Sequence, residues 1–378
     1  MVKFGNIVRD VKINVDRSNN PYKHYVAGDH MDSEDLTIHR HGDFATDDVG
    51  PAFTRIFKPG QILYGSRRTY LKKIAVADFS GICANTTFVL ESKDETVFLT
   101  RLLPFIMLSE SFTRWSIAHS KGSTNPYVLF SDLADYELDL PPIYEQRILA
   151  DKLWAAYRLK ESYKKLLTAT QEMVKSQFIE MFGNPLSLVQ RYPLKKLGDC
   201  CELNPRRPNL SLKETDKVSF VPMPSVSENG YLQDVTDEEY GKVKKGFTYF
   251  ESNDVVFAKI TPCMENGKGA IAEGLTNNIG MGSTEFHVLR PIEGVSSPYW
   301  LLALTRLPIF RERASKNMTG TGGQKRVPAN YLENFMVGLP PIEEQNRFEN
   351  IYKQADKSEF ELRKSIEAID GVIKSLIN

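Results

Sequence analysis

The chain has 378 residues, 48 of them basic and 48 acidic, so its formal net charge is zero. This length normally accommodates more than one domain, and the balanced charge gives no overall electrostatic footprint of a nucleic-acid-binding protein. No apolar run reaches the ~18 residues of a membrane helix, and the N-terminus is not typical of a signal peptide. The four cysteines form no CxxC pair. We therefore expect a cytoplasmic protein with free thiols.

Residues 1–142 form the first predicted domain, in which short β-rich runs alternate with turns and one helical patch covers about 96–119. Several of its loops mix basic, amide, hydroxyl and glycine residues. Lysine and arginine suit phosphates, and arginine, asparagine and glutamine can read base edges with two hydrogen bonds. The alternative is that each loop is a solvated turn. The candidate DNA-binding residues of this domain are Arg67, Arg68, Tyr70, Lys72, Lys121, Ser123 and Asn125.

Two short patterns in this domain suggest other chemistry. Asn125, Pro126 and Tyr127 are similar to the Asn-Pro-Pro-Tyr element of adenine methyltransferases, but the second proline and a glycine-rich cofactor loop are missing. His39 and His41 alternate as strand neighbours would, and the sequence indicates no cluster of cysteines or carboxylates beside them. We predict a surface strand, no metal site and no catalytic residue.

Residues 143–185 form the first predicted long helix. The helix begins after two prolines, which suit a helix start, and we expect it to run to Phe182, where Gly183, Asn184 and Pro185 end it. At 1.5 Å per residue its ~40 residues make a rod of roughly 60 Å. Its apolar residues follow a heptad pattern, which favours a coiled coil over an ordinary amphipathic core helix. The predicted helix-pairing residues are Leu149, Leu153, Leu167 and Val174.

Residues 186–341 form the second predicted domain, again α+β, with a helical patch at about 298–316. Its glycine-rich loop 319–326 does not satisfy the phosphate-binding pattern GxxxxGK[ST]. Glycine allows a backbone to approach a ligand closely, so this loop is instead a DNA-contact candidate. The candidate DNA-binding residues of this domain are Arg206, Arg207, Lys259, Thr261, Lys268, Thr319, Thr321, Gln324, Lys325 and Arg326.

Residues 342–378 form the second predicted long helix, with the same heptad pattern. Its predicted helix-pairing residues are Phe348, Tyr352, Leu362, Ile366, Ile369 and Ile373. A polar residue interrupts the apolar heptad pattern of each helix at the same place, Lys160 in the first helix and Glu359 in the second. In an antiparallel pair these two side chains could meet, or both could extend into solvent.

The chain also repeats itself. LPPIYEQ at 140–146 returns as LPPIEEQ at 339–345, and the start of each domain matches as well. Between them, Ile62–Gly65 resembles Val255–Ala258, a match short enough to be chance. A duplicated domain with a duplicated helix indicates one physical task performed twice, on a substrate with two halves.

These motifs are similar to those of the specificity subunit of type I restriction-modification systems. The resemblance is strongest in GTGGQKRVPANYLENFMVGLPPIEEQ (320–345), looser in GSTNPYVLFSDLADYELDLPPIYEQ (122–146), and includes MFGNP at 181–185. It extends over essentially the whole chain in order. The first domain lacks the GGQKR string, which leaves its base contacts without a family counterpart.

The resemblance implies an α+β protein with two pseudo-symmetric α/β target-recognition domains, separated by two long antiparallel coiled-coil helices. Each domain would read one half of a split target in double-stranded DNA. The chain would catalyse nothing itself, and would dock two modification (methyltransferase) subunits and the restriction subunits, which are ATP-dependent translocase/endonucleases. S-adenosylmethionine, ATP and Mg are expected on those partners, and no cofactor in this chain. Neutral charge fits a protein whose partners help to enclose DNA.

Three other functions remain open from the sequence. A specificity chain could serve a fused restriction-methyltransferase instead of separate subunits. The Asn125–Tyr127 pattern leaves room for a methyltransferase, which binding of S-adenosylmethionine would reveal. Zero net charge leaves room for a scaffold that binds no DNA.

Overall fold

The computed structural model describes residues 1–16, 19–184, 187, 191–321 and 323–378. These residues divide into two compact units. Unit 1 comprises Met1–Lys164 with Arg363–Asn378, and unit 2 comprises Lys165–Leu362. Each of the two long helices contributes to both units. The boundaries proposed from the sequence, which set the helices apart from the domains, remain a prediction.

The described residues of unit 1 form two four-stranded sheets and a small two-stranded one. Its strands are β1 (Val2–Lys3), β2 (Val8–Asp10), β3 (His24–Val26), β4 (Gly42–Asp43), β5 (Phe53–Phe57), β6 (Ile62–Gly65), β7 (Ile74–Val76), β8 (Gly81–Ala84), β9 (Thr87–Ser92) and β10 (Glu137–Leu138). Its helices are α1 (Phe4–Ile7), α2 (Leu103–Leu108), α3 (Glu110–Ala118), α4 (Phe130–Ala134) and the first part of α5 (Ile143–Phe182), with 3-10 turns at Thr69–Leu71 and Thr100–Leu102.

Unit 2 contains the same set of sheets. Its strands are β11 (Leu194–Lys196), β12 (Cys201–Leu203), β13 (Lys217–Val221), β14 (Thr236–Glu239), β15 (Thr248–Glu251), β16 (Val255–Ala258), β17 (Gly269–Ile271), β18 (Ile279–Gly282), β19 (Phe286–Pro291) and β20 (Met336–Gly338). Its helices are α6 (Leu197–Cys200), α7 (Tyr240–Val243), α8 (Pro298–Arg306), α9 (Pro308–Lys316), α10 (Ala329–Glu333) and part of α11 (Ile342–Ile377), with 3-10 turns at Met223–Ser225 and Thr276–Asn278.

The two units share one topology. The sheets of unit 1 have the orders β2-β9-β6-β7, β4-β3-β8-β5 and β1-β10, and those of unit 2 have β12-β19-β16-β17, β14-β13-β18-β15 and β11-β20. The pair β3–β8 is parallel, as is its counterpart β13–β18, and the other pairs are antiparallel. The short match between Ile62–Gly65 and Val255–Ala258 is therefore real, because β6 and β16 occupy the same place in their sheets.

Burial on both faces explains why β6 and β16 are apolar at successive positions. Side chains alternate across a strand, so Ile62 and Tyr64 enter one core cluster of unit 1 and Leu63 enters another. In unit 2, Phe257 and Val256 are divided in the same way. Each strand lies in the interior of its sheet with a core on either side, and a polar residue there would be buried without a partner.

The long helices pack as their heptads predict. In unit 2, Gln171 donates to Glu359 (3.1 Å) and the ring of Phe178 lies 5.3 Å from that of Phe348, so α5 and α11 are antiparallel there. The predicted pairing positions are all buried or half-buried. Helix α5 ends at Phe182 as predicted. Gly183 follows with φ 70°, whereas Pro185 lies outside the described residues.

For Lys160, the possibility that the polar interruptions extend into solvent is wrong. Its ammonium binds Asp370 at 2.5 Å with the side chain 12% exposed, while Glu359 accepts from Gln171. Lys160 and Glu359 are equivalent in the repeat, and so are Gln171 and Asp370. Each unit thus makes the same cross-helix contact with different chemistry. Among the described residues, no helix is both long and apolar enough to span a membrane.

Candidate nucleic-acid interface

A buried glutamine, Gln146, is the last residue of the LPPIYEQ motif of unit 1, which with LPPIEEQ of unit 2 we call the LPPI motifs. The Gln146 side chain accepts from the backbone N–H of Leu99 (3.2 Å) and donates to the carbonyls of Val97 and Pro141, each at 2.9 Å. The residue is 0% exposed. It joins the start of α5 to the segment that leads into α2, and it satisfies three backbone groups that burial would otherwise leave without partners.

Unit 2 repeats this arrangement with Gln345, which is also 0% exposed. Its side chain accepts from the N–H of Ser297 (2.9 Å) and donates to the carbonyls of Val295 (2.9 Å) and Pro340 (2.8 Å). In each unit the motif therefore fixes the start of a long helix to the segment that leads into α2 or α8. The sequence displayed this glutamine in both motifs, but no surrounding pattern distinguishes a buried glutamine from a surface one.

In unit 1, two of the predicted DNA-contact loops lie side by side. We call residues 66–72, which follow β6, and residues 121–127, which precede α4, the first loop pair. The N–H of Arg68 donates to the carbonyl of Pro126 at 2.7 Å, and Arg67 forms a β-bridge with Tyr127. Sequence positions that are 60 residues apart thus form one surface.

The basic residues at the tip of the first loop pair point outward. Arg67 and Arg68 are exposed and Tyr70 is 54% exposed. Among the described residues, neither guanidinium has a hydrogen-bond or ion-pair partner. Arg68 and Lys72 have φ values of 50° and 46°, a left-handed conformation that costs non-glycine residues about 1–2 kcal/mol. The loop is held in this shape by its backbone contacts, leaving both guanidiniums for a ligand.

The lysines of the first loop pair are engaged by the protein itself. Lys72 binds Glu34 at 2.8 Å and Lys121 binds Asp132 at 2.9 Å, and these contacts lower the pKa of both carboxyl groups. These two ion pairs hold the loops in place. Ser123 and Asn125, also in the second loop, are exposed.

Unit 2 builds an equivalent surface from residues 259–261 and 319–326, which we call the second loop pair; Gly322 lies outside the described residues. The N–H of Thr261 donates to the carbonyl of Lys325 at 3.0 Å, as Arg68 does to Pro126. Ile260 and Thr319 each form a β-bridge with Arg326. By these contacts Arg67 and Arg68 correspond to Ile260 and Thr261, and Tyr127 corresponds to Arg326.

Arg326 is bound within the protein. Its Nε and Nη2 donate to the two carboxylate oxygens of Glu285, both at 2.8 Å, and Nη1 donates to the carbonyl of Gln324. The guanidinium lowers the pKa of Glu285, whose carboxylate in turn raises the pKa of Arg326. A guanidinium that donates to both oxygens of one carboxylate stabilises the loop that carries it. The geometry therefore favours a positioning role for Arg326.

The neighbouring side chains of the second loop pair are accessible. Thr319, Thr321, Gln324 and Lys325 are exposed, and in the described part of the chain neither Gln324 nor Lys325 has a side-chain partner. The Thr261 hydroxyl donates to Glu265 at 3.1 Å, and Lys259 is half-buried, as is Lys268. The loop therefore presents an amide and an ammonium where the first loop pair presents two guanidiniums.

Arg206 and Arg207 lie apart from this surface, in the segment after β12. The Arg207 guanidinium lies 5.7 Å from the centre of the Tyr240 ring and donates to the carbonyl of Lys244. Arg206 is exposed. Within the described ranges, neither forms a hydrogen bond or ion pair with the second loop pair.

The prediction of a surface strand at His39 and His41 is wrong. Neither residue is in a strand, and Asp35, His39 and Glu161 bring one possible metal-ligand atom each to within 4.8 Å of one another. The ammonium of Lys164 already binds Asp35 (3.0 Å) and Glu161 (2.9 Å). A cation there would compete with this ammonium, so the cluster is better described as an ion-pair network that anchors α5. Asp35 and Glu161 are 126 positions apart, which is why the sequence did not reveal it.

A family profile described as the type I restriction modification DNA specificity domain matches residues 19–169 and again residues 191–369. The chain belongs to this family. The two matches fall on the two halves of the sequence repeat, and together they extend over most of the chain. The duplication inferred from the LPPI motifs is therefore a duplication of the specificity domain.

Curated relatives agree with this family. The specificity subunit of the type I restriction enzyme EcoAI from Escherichia coli is 34% identical over 199 residues, which are 51% of this chain and 33% of that protein. The putative MjaX specificity subunit from Methanocaldococcus jannaschii is 26% identical over 156 residues, covering 40% of this chain and 34% of that protein. The matched segments thus span about a third of these relatives.

Solved structures share the fold over the whole chain. The type I restriction-modification S subunit from M. genitalium has a TM-score of 0.58 at 12% identity, covering 99% of this chain and 94% of that one. A chain from a study of complex assembly and conformational transition of the type I R-M system has a TM-score of 0.55 at 18% identity, covering 100% and 95%. The predicted fold class, two similar α/β domains with long helices, is confirmed.

Proposed function

We propose that this chain is the DNA-recognition subunit of a type I restriction-modification complex and reads a bipartite target, one specificity domain for each half-site. The observation that carries the proposal is the pair of equivalent loop surfaces, built on the same backbone contacts but carrying different side chains. Shared backbone contacts would place the two DNA-reading surfaces in the same way in each domain. Different exposed side chains would let them recognise two different half-site sequences.

The side chains left accessible suit readout of base edges. Arg67 and Arg68 can each donate two hydrogen bonds to guanine, and Gln324 can pair with adenine in the same bidentate way. Lys325 suits a phosphate, where it adds affinity but no sequence information. Tyr70 and Asn125 extend the first surface. The domain assignments 1–142 and 186–341 belong to this proposal.

The chain itself performs no catalysis in this proposal. The methyltransferase would reside on modification subunits and the ATP-dependent cleavage on restriction subunits, which bring S-adenosylmethionine, ATP and Mg. The long helices, residues 143–185 and 342–378, would set the unread gap in the target and offer the docking surface. A DNA target also places the complex in the cytoplasm.

Methylation mapping tests the proposal directly. In cells that carry this chain with its modification partner, modified adenines should fall in one split sequence with a fixed gap. Exchanging residues 1–142 for the corresponding domain of another specificity subunit should change one word of that sequence and leave the other. A change in both words, or methylation by the isolated chain, would contradict the proposal.

A further inference from the structure

A cavity of about 250 Å³ lies in unit 2, where the corner between α8 and α9 faces the long helices. Three basic side chains line the cavity: Arg306 at the end of α8 and Arg311 in α9 lie at this corner, and Lys175 of α5, which pairs with Glu172, lies on the helix side. The loops after β13 and β16 close the other sides. None of the predicted DNA-contact residues lines the cavity, so it is separate from the second loop pair.

The two guanidiniums are held in place by neutral groups. Arg306 donates to the Tyr352 hydroxyl (3.3 Å) and to the backbone carbonyl of Glu228 (3.0 Å), and Arg311 donates to the backbone carbonyl of Glu265 (2.9 Å). In the described part of the chain neither guanidinium has a carboxylate partner, and the buried Nε of Arg311 has no acceptor.

The surroundings of Arg311 disfavour its charge. Burial lowers the pKa of Arg311, the nearby charge of Arg306 lowers it further, and the negative charge of Glu228 only partly offsets the two. Two positive groups thus share a half-buried site in which, among the described residues, neither has a direct hydrogen bond or ion pair to a carboxylate, and a desolvated charge needs an opposite charge or strong hydrogen bonds.

Glycine backbone lies directly against both guanidiniums. A Cβ added to Gly230 would lie 2.6 Å from Nη1 of Arg306, and one added to Gly267 would lie 2.6 Å from Nη1 of Arg311. Both glycines have positive φ, at 101° and 77°. The loops therefore fix the orientation of the two side chains.

Unit 1 shows that the fold does not require these arginines. Phe112 and Phe310, the third residues of α3 and α9, are both 0% exposed and mark the equivalent corners. Counted from them, Leu108 stands where unit 2 has Arg306, and Thr113 stands where unit 2 has Arg311. The same helical corner thus forms with uncharged residues at both of these positions.

The equivalent cavity of unit 1 is also smaller, at about 100 Å³. Four of its charged side chains form two ion pairs, Lys72 with Glu34 and Lys160 with Asp370, and Glu110 and Lys374 also line it. Among the described residues, guanidiniums line this cavity in unit 2 and not in unit 1, so packing in the shared fold does not explain them.

We propose that Arg306 and Arg311 form a binding site for the oxyanion of a small molecule, a phosphate or a carboxylate. Planar guanidiniums match the geometry of both groups. Glu228, Asp356 and Glu359 line the rest of the cavity, so a polyanion such as pyrophosphate should bind no better than phosphate. The site would couple a small anion to the junction where unit 2 meets its long helices, which lies beyond the DNA-recognition function.

Calorimetric titration of the full chain tests this site, with sodium phosphate and sodium succinate as separate probes at constant ionic strength. We expect saturable binding of at least one probe, which also identifies the anion class. Arg306→Leu and Arg311→Thr introduce residues that unit 1 carries at the equivalent positions, and each should weaken binding at least tenfold. Lys316→Ala, on an exposed part of α9, should leave binding unchanged.

Absence of saturable binding by both probes, or equal binding by the wild type and both variants, would overturn the proposal. Circular dichroism establishes that each variant is folded. If either variant fails to fold, Arg311→Lys provides the second test. It retains the charge but loses the fork, and should weaken binding while preserving the helical spectrum; unchanged binding would count against the site.

Discussion

The two loop pairs show how one frame carries two chemistries. In unit 1 the accessible cations, Arg67 and Arg68, lie in the loop after the central strand β6. In unit 2 the equivalent positions are Ile260 and Thr261, and the accessible polar groups, Gln324 and Lys325, lie in the partner loop. The backbone contact between the loops is the same in both units.

This difference separates what the duplication preserves from what it varies. Strand order, the cross-loop hydrogen bond and the buried glutamine recur, and all three satisfy backbone groups. The side chains of Arg67, Arg68, Gln324 and Lys325 have no partner among the described residues, so they can change with little cost to the fold. Under the proposed function, the two surfaces could therefore read different half-site sequences while keeping the same placement within each unit.

The largest expected effect concerns the shared frame. Gln146→Leu and Gln345→Leu should each destabilise the chain by about 3 kcal/mol or more, because three buried backbone groups lose their partners at roughly 1–3 kcal/mol each. Hydrogen exchange should locate the loss in unit 1 for the first variant and in unit 2 for the second. Chemical denaturation gives its size.

The matched control is Gln354→Leu, on an exposed position of α11, which should change stability by less than about 0.5 kcal/mol. A strong effect at one motif and none at the other would break the equivalence of the two frames.

The next effect concerns the loop chemistry. Arg68→Ala should weaken DNA binding of the partner-assembled complex by roughly 1–3 kcal/mol if its guanidinium reads a base. Thr261→Ala, at the equivalent position of unit 2, should cost less, since the hydroxyl is engaged by Glu265. Fluorescence anisotropy with one half-site altered at a time assigns the loss to a word.

Arg101→Ala is the control, because Arg101 is exposed in unit 1 and pairs with Asp151 outside the loop pair. Equal losses of DNA affinity in Arg68→Ala and Thr261→Ala would contradict the prediction that this loop position contributes more in unit 1 than in unit 2.

A smaller effect distinguishes the helix anchor of unit 1. Burial raises the pKa of Asp35, but hydrogen bonds from the Thr37 N–H, Tyr157 and Lys164 outweigh it and lower the pKa from 3.8 to about 2. The folded-state pKa lies below the unfolded one, so the stabilisation is complete above about pH 4 and is lost as the pH falls toward 2. One pKa unit corresponds to about 1.4 kcal/mol, and partial exposure reduces the total to roughly 1–2 kcal/mol.

Asp35→Asn should remove this part of the acid sensitivity, as measured by urea denaturation between pH 5 and pH 2.5. Asp32→Asn, whose carboxylate is half exposed and pairs with Arg40, should retain it. An unchanged pH profile in Asp35→Asn would show that the network does not stabilise unit 1.

The sequence predicted the fold because apolar periodicity and the LPPI repeat are local signals. The heptads located the face of α11 that is buried, and the strand match at Val255–Ala258 identified an equivalent position in the two sheets. The sequence could not predict which ionisable side chains find internal partners. Arg326 was a base-reading candidate until Glu285, 41 positions away, was found to occupy its guanidinium. For Lys160 the sequence left open a contact with Glu359 or exposure to solvent, and its partner Asp370 is 210 positions away.

The smallest expected effect tests whether Arg326 positions the second loop pair or reads DNA. Its ion pair with Glu285 is partly exposed, with side chains 40% and 26% accessible, so Glu285→Gln should cost less than about 1 kcal/mol of stability.

If the pair only positions the loop, Arg326→Ala and Glu285→Gln should weaken DNA binding by similar small amounts, because each removes the same ion pair. If Arg326 leaves Glu285 to read a base, Glu285→Gln would release the guanidinium and strengthen binding, whereas Arg326→Ala would weaken it. Anisotropy titrations of both variants, with Lys316→Ala as the exposed control, distinguish these outcomes by the sign of the Glu285→Gln effect.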